Sequence, residues 1–513
     1  MANTDLFADL HCHTLFKYIQ KDVVDLWEPI GKPNLLDRLT GVPRYTTADL
    51  KNLAQGEVQI ACVALTPPEQ KTLFFHGKFP DKVLEKFSSF ITGIPSNKIR
   101  FYQSEEYDHY KLLIRERDLY IGGQNISGSV KINSTGKKST CRYKVVKNFG
   151  EAETILNDNN ADTNQRTIAI IFTIESTHAL GTGHIDFNGN PNKFNVSEEV
   201  LLKRVDALKG ISSDIEKAWE YPPAWVTMTH AFNNSICGYA QPLLKNLREL
   251  LDYSEPFSSG KTPPRYQSTI NTGFTPTGKK VIERLLGIDA VSLSRAIPGK
   301  RILIDIKHMS TRSRQEYYDL IDAYNLANPG NKIPILMSHA AVNGKPSLNE
   351  NGYNPVDSDS EYENGTGFNT WSINLYDDEI IRIHNTKGIL GLVFYEPILA
   401  GKKKRKGGLF WNRKMWAELF ADQIEHIVKT VYNAGLPDKK EIWDRIALGS
   451  DFDGQINPAD RFATADQFPD FKKHLISFLR ENKFNPYRDI SEVNELADKI
   501  CYKNAMNFLK TNF

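Results

Sequence analysis

The stretch ILIDIKH at residues 302–308 is one of eight short apolar runs that decide the fold of this chain. Each run is too short for a helix, and near-continuous apolar runs are typical of strands covered on both faces. Helical periodicity fills several of the gaps between them, as at residues 277–287 and 415–435. Strand and helix alternating in this way predict a (β/α)8 barrel. The eight runs cover residues 5–13, 58–66, 167–175, 225–230, 302–308, 333–339, 388–395 and 445–453.

An open, doubly wound α/β sheet is the alternative architecture for such a pattern. Its usual glycine-rich phosphate turn after the first strand is missing, because residues 11–13 read His-Cys-His there. We therefore predict a single barrel domain over residues 1–513, with three loop insertions. These are a β-hairpin-like segment at 119–148 between the second and third strands, a polar segment at 343–370 and a basic loop at 401–408.

The composition argues against several classes of protein. Hydrophobic residues make up 40% of the chain and charged residues 25%, which is ordinary for a globular protein with a large core. Lys and Arg number 64 against 62 Asp and Glu, and this near-neutral balance argues against nucleic acid or a membrane surface as partner. No apolar run is long enough to predict a transmembrane helix. Five scattered cysteines and an opening without signal-peptide features predict a cytoplasmic protein without a disulfide framework.

Six of the eight runs end on a residue that can bind a metal. Active sites of barrel enzymes lie at the C-terminal ends of the strands, so these side chains are predicted to meet there. The first run carries two histidines that are two residues apart, and such residues face the same side of a strand. In chain order the six runs end on His11 and His13, Glu175, His230, His308, His339 and Asp451.

Imidazole and carboxylate groups in this mixture suit Zn²⁺, with Mn, Fe or Co as competitors. The candidate ligands are more numerous than the three protein ligands of one catalytic zinc. The sequence therefore favours two metals, with Glu175 as the candidate bridging carboxylate. Two such metals share a water, lower its pKa and polarise a carbonyl group. His230 is a weaker ligand candidate and is predicted to contact the substrate instead. Either Asp451 or Asp453 could be the aspartate that binds metal. Strand direction favours Asp451, and Asp453 is then a turn or supporting residue.

The remaining histidines are predicted to lie outside the site. Two of them follow Glu175 in a glycine-flanked segment and are predicted loop residues, namely His178 and His184. The others stand in helical or loop context and are predicted to lie at the surface, namely His76, His109, His384, His426 and His474.

Seven motifs together resemble the membrane (renal-type) dipeptidases, peptidase family M19, within the amidohydrolase superfamily. They occur in the family's order between residue 5 and about residue 455. The combination is specific, whereas any one motif alone is weak. The motifs are DLHCHT, IESTHALG, WVTMTHAFNNS, GFTPTGK, ILIDIKHMS, PILMSHAAV and ALGSDFDG.

The resemblance implies a two-zinc barrel enzyme that cleaves a dipeptide by a metal-activated water, without a covalent intermediate. Each matching position takes the role of the family's residue. For the metals, the resemblance implies that His11 and His13 bind the first zinc, that Glu175 bridges both and that His308 and His339 bind the second. For the reaction, it implies that Asp451 orients the attacking water and exchanges its proton beside the first zinc. His230 then contacts the substrate carbonyl and the tetrahedral intermediate.

The chain departs from the family at two points. His13 stands where the family usually has aspartate, which removes a negative charge beside the first metal. The family has an arginine that binds the free carboxylate of the dipeptide, and this arginine is missing from the segment after His339. Lys345 in that segment, or a basic residue of the Lys402–Lys406 loop, could replace it. A lysine does not make the same bidentate contact.

Three functional interpretations follow, all with a small molecule as partner. The first is a dipeptidase, and the second is hydrolysis of another small amide, a lactone or an acylated amino acid, which the missing arginine favours. The third is a barrel that binds metal without catalysis, against which the intact ligand set argues. A homodimer is compatible with each of them.

Overall fold

All eight apolar runs form strands, and these strands close into a parallel barrel. The computed structural model describes residues 6–23, 25–33, 37, 43–69, 86, 89, 93–162, 164–183, 193–241, 272–349, 367–401, 403–405 and 412–513. The strands are β1 Phe7–Cys12, β2 Val58–Leu65, β3 Gly128–Lys131, β4 Lys138–Val145, β5 Gln165–Glu175, β6 Trp225–Thr227, β7 Leu303–Asp305, β8 Leu336–Ala340, β9 Ile389–Leu392 and β10 Ile446–Leu448.

Parallel pairing runs around the barrel in the order β1, β2, β5, β6, β7, β8, β9 and β10, and β10 pairs with β1. Along the chain, the described helices lie between successive barrel strands and after the last one. They are α1 Phe16–Lys21, α2 Leu50–Gln55, α3 Ser96–Gln103, α4 His109–Gly123, α5 Phe149–Ala161, α6 Glu198–Leu208, α7 Pro276–Leu286, α8 Thr311–Ala327, α9 Asp377–Asn385, α10 Glu396–Leu399, α11 Arg413–Asn433, α12 Phe468–Leu479, α13 Val493–Asp498 and α14 Asn504–Asn512.

The two predicted helices, at 277–287 and 415–435, are confirmed as α7 and α11. The N-terminus of α7 is held by Thr275, whose side chain accepts a hydrogen bond from the backbone of Gly278. Gly287 ends this helix with a φ of 70°, a left-handed conformation that glycine adopts without strain. None of the described helices has the length and hydropathy to cross a membrane.

The hairpin between the second and third barrel strands is shorter than the predicted segment 119–148. Strands β3 and β4 pair antiparallel, whereas residues 119–123 are the last turn of α4. Strand β4 pairs in parallel with the first half of β5, from Gln165 to Ile170. The hairpin therefore extends the sheet at the end of β5 that lies away from Glu175.

The barrel strands are buried on both faces, as their apolar runs predict. Close packing inside requires small residues at two positions. A Cβ added to Gly391 on β9 or to Gly449 after β10 would lie 1.9 Å from the backbone oxygen of Ser338. These two glycines therefore let β9 and the residue after β10 approach the backbone of Ser338, which directly precedes His339.

Parts of the predicted insertions at 343–370 and 401–408 lie outside the described residues, as do His76, His184, Lys402 and Lys406. Within the basic loop, Lys404 pairs with Asp422 at 2.5 Å. Arg405 pairs with Glu396 at 3.2 Å. Both of these cations already have acidic partners.

Candidate metal centre

The two histidines of the first strand face the same side, as their spacing predicts. Their Nε2 atoms lie 3.1 Å apart, and both rings are buried. Glu175, the last residue of β5, lies beside both rings. Its carboxylate is 3.5 Å from Nε2 of His11 through Oε1 and 3.3 Å from Nε2 of His13 through Oε2.

The histidines after β7 and within β8 lie near the same carboxylate. Oε1 of Glu175 lies 3.4 Å from Nε2 of His308 and 3.9 Å from Nε2 of His339. These two Nε2 atoms are 3.2 Å apart. Four imidazole nitrogens therefore surround one buried carboxylate.

Asp451 follows the last strand and completes the cluster. Its Oδ1 lies 3.9 Å from Nε2 of His11 and 3.6 Å from Nε2 of His13. Asp451 has a φ of 61° and His308 a φ of 66°, which is unusual for residues other than glycine. Such strained conformations concentrate at functional sites, where the surrounding structure holds them in place.

The donor set fits a bound cation. Three groups of three residues each have ligand atoms within 4.8 Å of one another: His11, His13 and Glu175; Glu175, His308 and His339; and His11, His339 and Asp451. Ser338 Oγ lies 3.2 Å from Nδ1 of His11 and 2.9 Å from Nδ1 of His339. Partners of this kind on Nδ1 orient the ring and leave Nε2 for a metal.

The electrostatics of Glu175, His308 and His339 favour the protonation states that bind metals, whereas at His13 burial lowers the pKa but Glu175 and Asp451 outweigh it and raise that pKa. Burial alone would raise the pKa of Glu175, but the facing histidines, His230 foremost, hold it well below its ordinary value. Burial and neighbouring positive groups lower the pKa of His308 and of His339 well below the usual range. The carboxylate is therefore ionised and these two imidazoles are neutral, as metal ligation requires.

His230 lies at the edge of the cluster, with a side chain that is 30% exposed. Its Nε2 is 4.0 Å from Oε1 of Glu175, and its ring contacts His308 at 4.3 Å between centroids. Its Nδ1 is 3.0 Å from Oε1 of Glu69. Burial lowers the pKa of His230, but Glu69 and Glu175 outweigh it and raise that pKa to about 9. The ring faces both the cluster and the solvent, which suits a group that contacts a substrate.

Two buried aspartates that the sequence analysis did not single out support the cluster. Asp9 accepts hydrogen bonds from the backbone of His11 and from the backbone and hydroxyl of Ser450, which precedes Asp451. The sequence carried a signal for Asp9, because a carboxylate inside an apolar strand stands out. Asp9 lies two residues before the candidate ligand His11, and residues two apart share a face of a strand.

Asp305 repeats this arrangement across the barrel. It accepts hydrogen bonds from the backbone and the hydroxyl of Ser338, which precedes His339. It also accepts one from the hydroxyl of Thr227, the last residue of β6. Asp305 therefore joins β6, β7 and β8 at the level of the cluster.

The second strand contributes no candidate ligand, but the residue after it contacts Glu175. Thr66 donates from its hydroxyl to Oε2 of Glu175 at 3.3 Å. Its backbone N–H donates to Glu116, a carboxyl group of α4 that is 2% exposed. Burial raises the pKa of Glu116 to about 8.

We expect Glu116→Gln to make the stability of the protein less dependent on pH. The folded-state pKa of Glu116 lies above its ordinary value of 4.5, so only the folded protein holds this proton between about pH 4.5 and 8. Its contribution to stability is present below this range and is lost as the pH rises through it. The difference between the midpoints of thermal unfolding, variant minus parent, should therefore become more positive as the pH is raised from 5 to 9. The exposed Glu105→Gln serves as control, and a constant difference across this range would contradict the prediction.

Two predictions for the other histidines are corrected by the structure. His109 and His384 are buried rather than at the surface, because His109 packs against Tyr107 and His178 and His384 pairs with Asp438. His178, a predicted loop residue, lies in a 3₁₀ turn at 177–180 after β5 and is buried. His426 and His474 are partly exposed.

Lys345, the candidate replacement for the family's arginine, is partly exposed. Its backbone N–H donates to the side chain of Asn343, and its carbonyl oxygen accepts from the backbone of Asp377. These contacts fix the course of the chain after His339. The substrate role of the side chain stays a prediction.

Comparisons with known proteins agree with this fold. No family model and no curated protein matches the chain. Among solved structures, it is similar to a metallopeptidase from Rhodobacter sphaeroides that was solved with a phosphinate mimic of the dipeptide L-Ala-D-Ala. The two chains are 13% identical, the match covers 100% of both, and the TM-score is 0.51.

A second similar structure is a dipeptidase and metallopeptidase of family M19, the family that the motifs resemble. Here the identity is 12%, the match covers 99% of each chain, and the TM-score is 0.50. At this level of identity the likeness establishes the fold, a (β/α)8 barrel shared over the full length of these metallopeptidases.

Proposed function

We propose that this protein is a metal-dependent hydrolase that cleaves the amide bond of a dipeptide with a metal-activated water. The observation that carries the proposal is the convergence of four imidazole Nε2 atoms and the carboxylates of Glu175 and Asp451 in one buried cluster. The motif resemblance and the dipeptidase structures of the same fold support the choice of reaction.

The donor set suits two divalent cations, with zinc as the ion of choice and Mn, Fe or Co as alternatives. His11 and His13 would hold one cation and His308 and His339 the other, with Glu175 shared between them. When bound, such a pair lowers the pKa of water and polarises the scissile carbonyl.

The remaining residues act on the substrate and on protons. Asp451 orients the attacking water, accepts its proton and passes it to the departing amine. His230 donates from Nε2 to the oxygen of the scissile carbonyl, where negative charge develops in the transition state. A donor aimed at that oxygen contributes several kcal/mol, about 3–4 in the best-studied cases.

A second candidate is hydrolysis of a small amide, lactone or acylated amino acid without a free carboxylate next to the scissile bond. The observation that favours it is that the described segment after His339, residues 340–349 and 367–379, contains lysine at 345 but no arginine. A substrate that lacks the carboxylate does not need a bidentate partner at this position.

A matched substrate panel tests the two candidates. We expect hydrolysis of free dipeptides to exceed that of the same dipeptides with amidated C-termini by at least about tenfold in kcat/KM, which corresponds to about 1.4 kcal/mol of carboxylate recognition. Ninhydrin detection of released amines on zinc-loaded protein measures both sets. N-acylated amino acids and lactones complete the panel.

Equal rates on free and amidated dipeptides, or hydrolysis of the acylated amino acids and lactones alone, would contradict the dipeptidase proposal and support the second candidate. Lys345→Met is the matched variant. It should lower the preference for free carboxylates if Lys345 replaces the arginine, with little effect on amidated dipeptides.

A further inference from the structure

The segment Thr66–Glu69, which follows β2, reaches the candidate centre at both of its ends. The Thr66 hydroxyl donates to Oε2 of Glu175. Glu69, three residues later, accepts from the backbone N–H of Ala231 at 3.1 Å and lies 3.0 Å from Nδ1 of His230. One short segment therefore contacts both the central carboxylate and the histidine assigned to the substrate. We call it the Thr66–Glu69 arm.

Three buried side chains hold the arm along its length. Glu116 accepts from the backbone N–H of Thr66 at 3.0 Å. His178 lies 2.8 Å from the carbonyl oxygen of Pro67 through its Nε2. The Tyr107 hydroxyl donates to the carbonyl oxygen of Pro68 at 2.6 Å. The arm is therefore braced by helix α4, by the turn after β5 and by the segment that precedes α4.

The two prolines in the arm add to its rigidity. Proline fixes φ near −65°, and it also restricts the residue that precedes it. Proline has no N–H, so the carbonyl oxygens are the backbone groups at these positions that need partners, and both have one. A carboxylate at the end of such an arm is held in a defined place.

The carboxylate of Glu69 lies against the Nδ1 edge of the His230 ring. Its Oε1 lies near both Nδ1 of His230 and the N–H of the next residue, so one oxygen holds side chain and backbone together. The Glu69 side chain is 3% exposed, whereas that of His230 is 30% exposed. A carboxylate on Nδ1 leaves Nε2 as the atom that faces the centre. The buried edge of this partly exposed ring is thus contacted by a buried carboxylate.

We propose that Glu69 is a positioning residue that holds His230 by Nδ1, with Nε2 directed at the substrate carbonyl. The Thr66–Glu69 arm fixes the position of the Glu69 carboxylate. The proposal rests on the proposed function, since it assigns a partner to the substrate-binding histidine. Glu69 acts through His230 and does not itself contact the reacting atoms.

A double-mutant cycle tests whether Glu69 acts through His230. We expect Glu69→Ala to lower kcat by about 10- to 100-fold with KM changed less than about threefold, because supporting contacts of functional histidines have effects of this size. In the His230→Asn background the same change should alter kcat by less than about threefold, since the ring it orients is gone. Glu220→Gln, an exposed carboxylate, is the control. Equal losses in both backgrounds would overturn the proposal.

A spectroscopic readout makes the test independent of turnover. In ¹⁵N-histidine-labelled zinc-loaded protein, the His230 ring signals are those lost in His230→Asn. We expect Glu69→Ala to shift the Nδ1 and Nε2 signals of His230 while those of His426 and His474 stay in place. Unchanged His230 signals would overturn the proposal. If no dipeptide is hydrolysed, the proposed function fails, whereas a shifted His230 spectrum would still support the contact with Glu69.

Metal content separates positioning from damage to the centre. Glu69→Ala should retain as much zinc as the parent by elemental mass spectrometry, because the role proposed for Glu69 is to orient His230 and not to hold the cations. Glu69→Gln should lie between parent and Glu69→Ala in kcat, since an amide oxygen can still accept from Ala231. Loss of metal in Glu69→Ala would assign Glu69 a structural role and overturn the proposal.

Discussion

The double variant His308→Ala/His339→Ala is expected to lose about half of the bound zinc, from about two equivalents to one, as a two-metal site predicts. Both Nε2 atoms lie within 3.9 Å of Glu175 and are 3.2 Å apart, so together they form one side of the candidate centre. Activity should fall more than about 100-fold, beyond the 10- to 100-fold typical for residues that only support ligands. Elemental mass spectrometry on dialysed protein measures the metal.

The matched control is His426→Ala/His474→Ala, which removes two partly exposed histidines outside the cluster. It should retain the metal and the activity of the parent. Equal metal content in the two double variants would remove His308 and His339 from the centre. One equivalent or none in the parent after reconstitution with zinc would contradict the two-metal proposal.

The second large effect is expected from Asp451→Asn, which should keep the metals but lower kcat by about 10²- to 10⁴-fold, the range for loss of a general acid–base group. Asparagine preserves the shape of the side chain and cannot accept the proton of the attacking water. The change also leaves the left-handed backbone at residue 451 accessible, since asparagine tolerates a positive φ.

Asp460→Asn, farther along the same loop, is the control for the removal of a carboxylate near the rim. The measurements are kcat and the zinc content of the same preparation. Activity of Asp451→Asn within tenfold of the parent would exclude Asp451 as the proton acceptor. Loss of metal together with activity would instead make Asp451 mainly a ligand.

The barrel and the metal-binding candidates could be predicted from the sequence because both are local patterns. A strand that is buried on both faces must be apolar along its length, so the eight runs were visible one by one. A polar residue at the end of such a run stands out, and parallel strands bring these ends to one rim. The structure places His11, His13, Glu175, His308, His339 and Asp451 together there.

The supporting residues were harder to predict because their partners are distant in the chain. The position of Asp9 before His11 was a signal, but only the fold brings its partner Ser450 to it, as it brings Ser338 to Asp305. Glu69 stands four residues beyond its strand, and only the packing of Glu116, His178 and Tyr107 sets its position. The surface prediction for His109 was wrong for the same reason, since burial depends on what packs against a helix.

The sequence by itself therefore determined the architecture and the donor groups of the candidate centre, since strand burial and donor chemistry are properties of single residues and short runs. The tertiary structure alone decided how these donors are oriented: the Nε2 atoms of the four rings face Glu175, and Ser338 lies at Nδ1 of His11 and of His339. Orientation depends on contacts between segments up to 441 residues apart, such as Asp9 with Ser450. No local pattern encodes such a contact, because it forms only when the barrel closes.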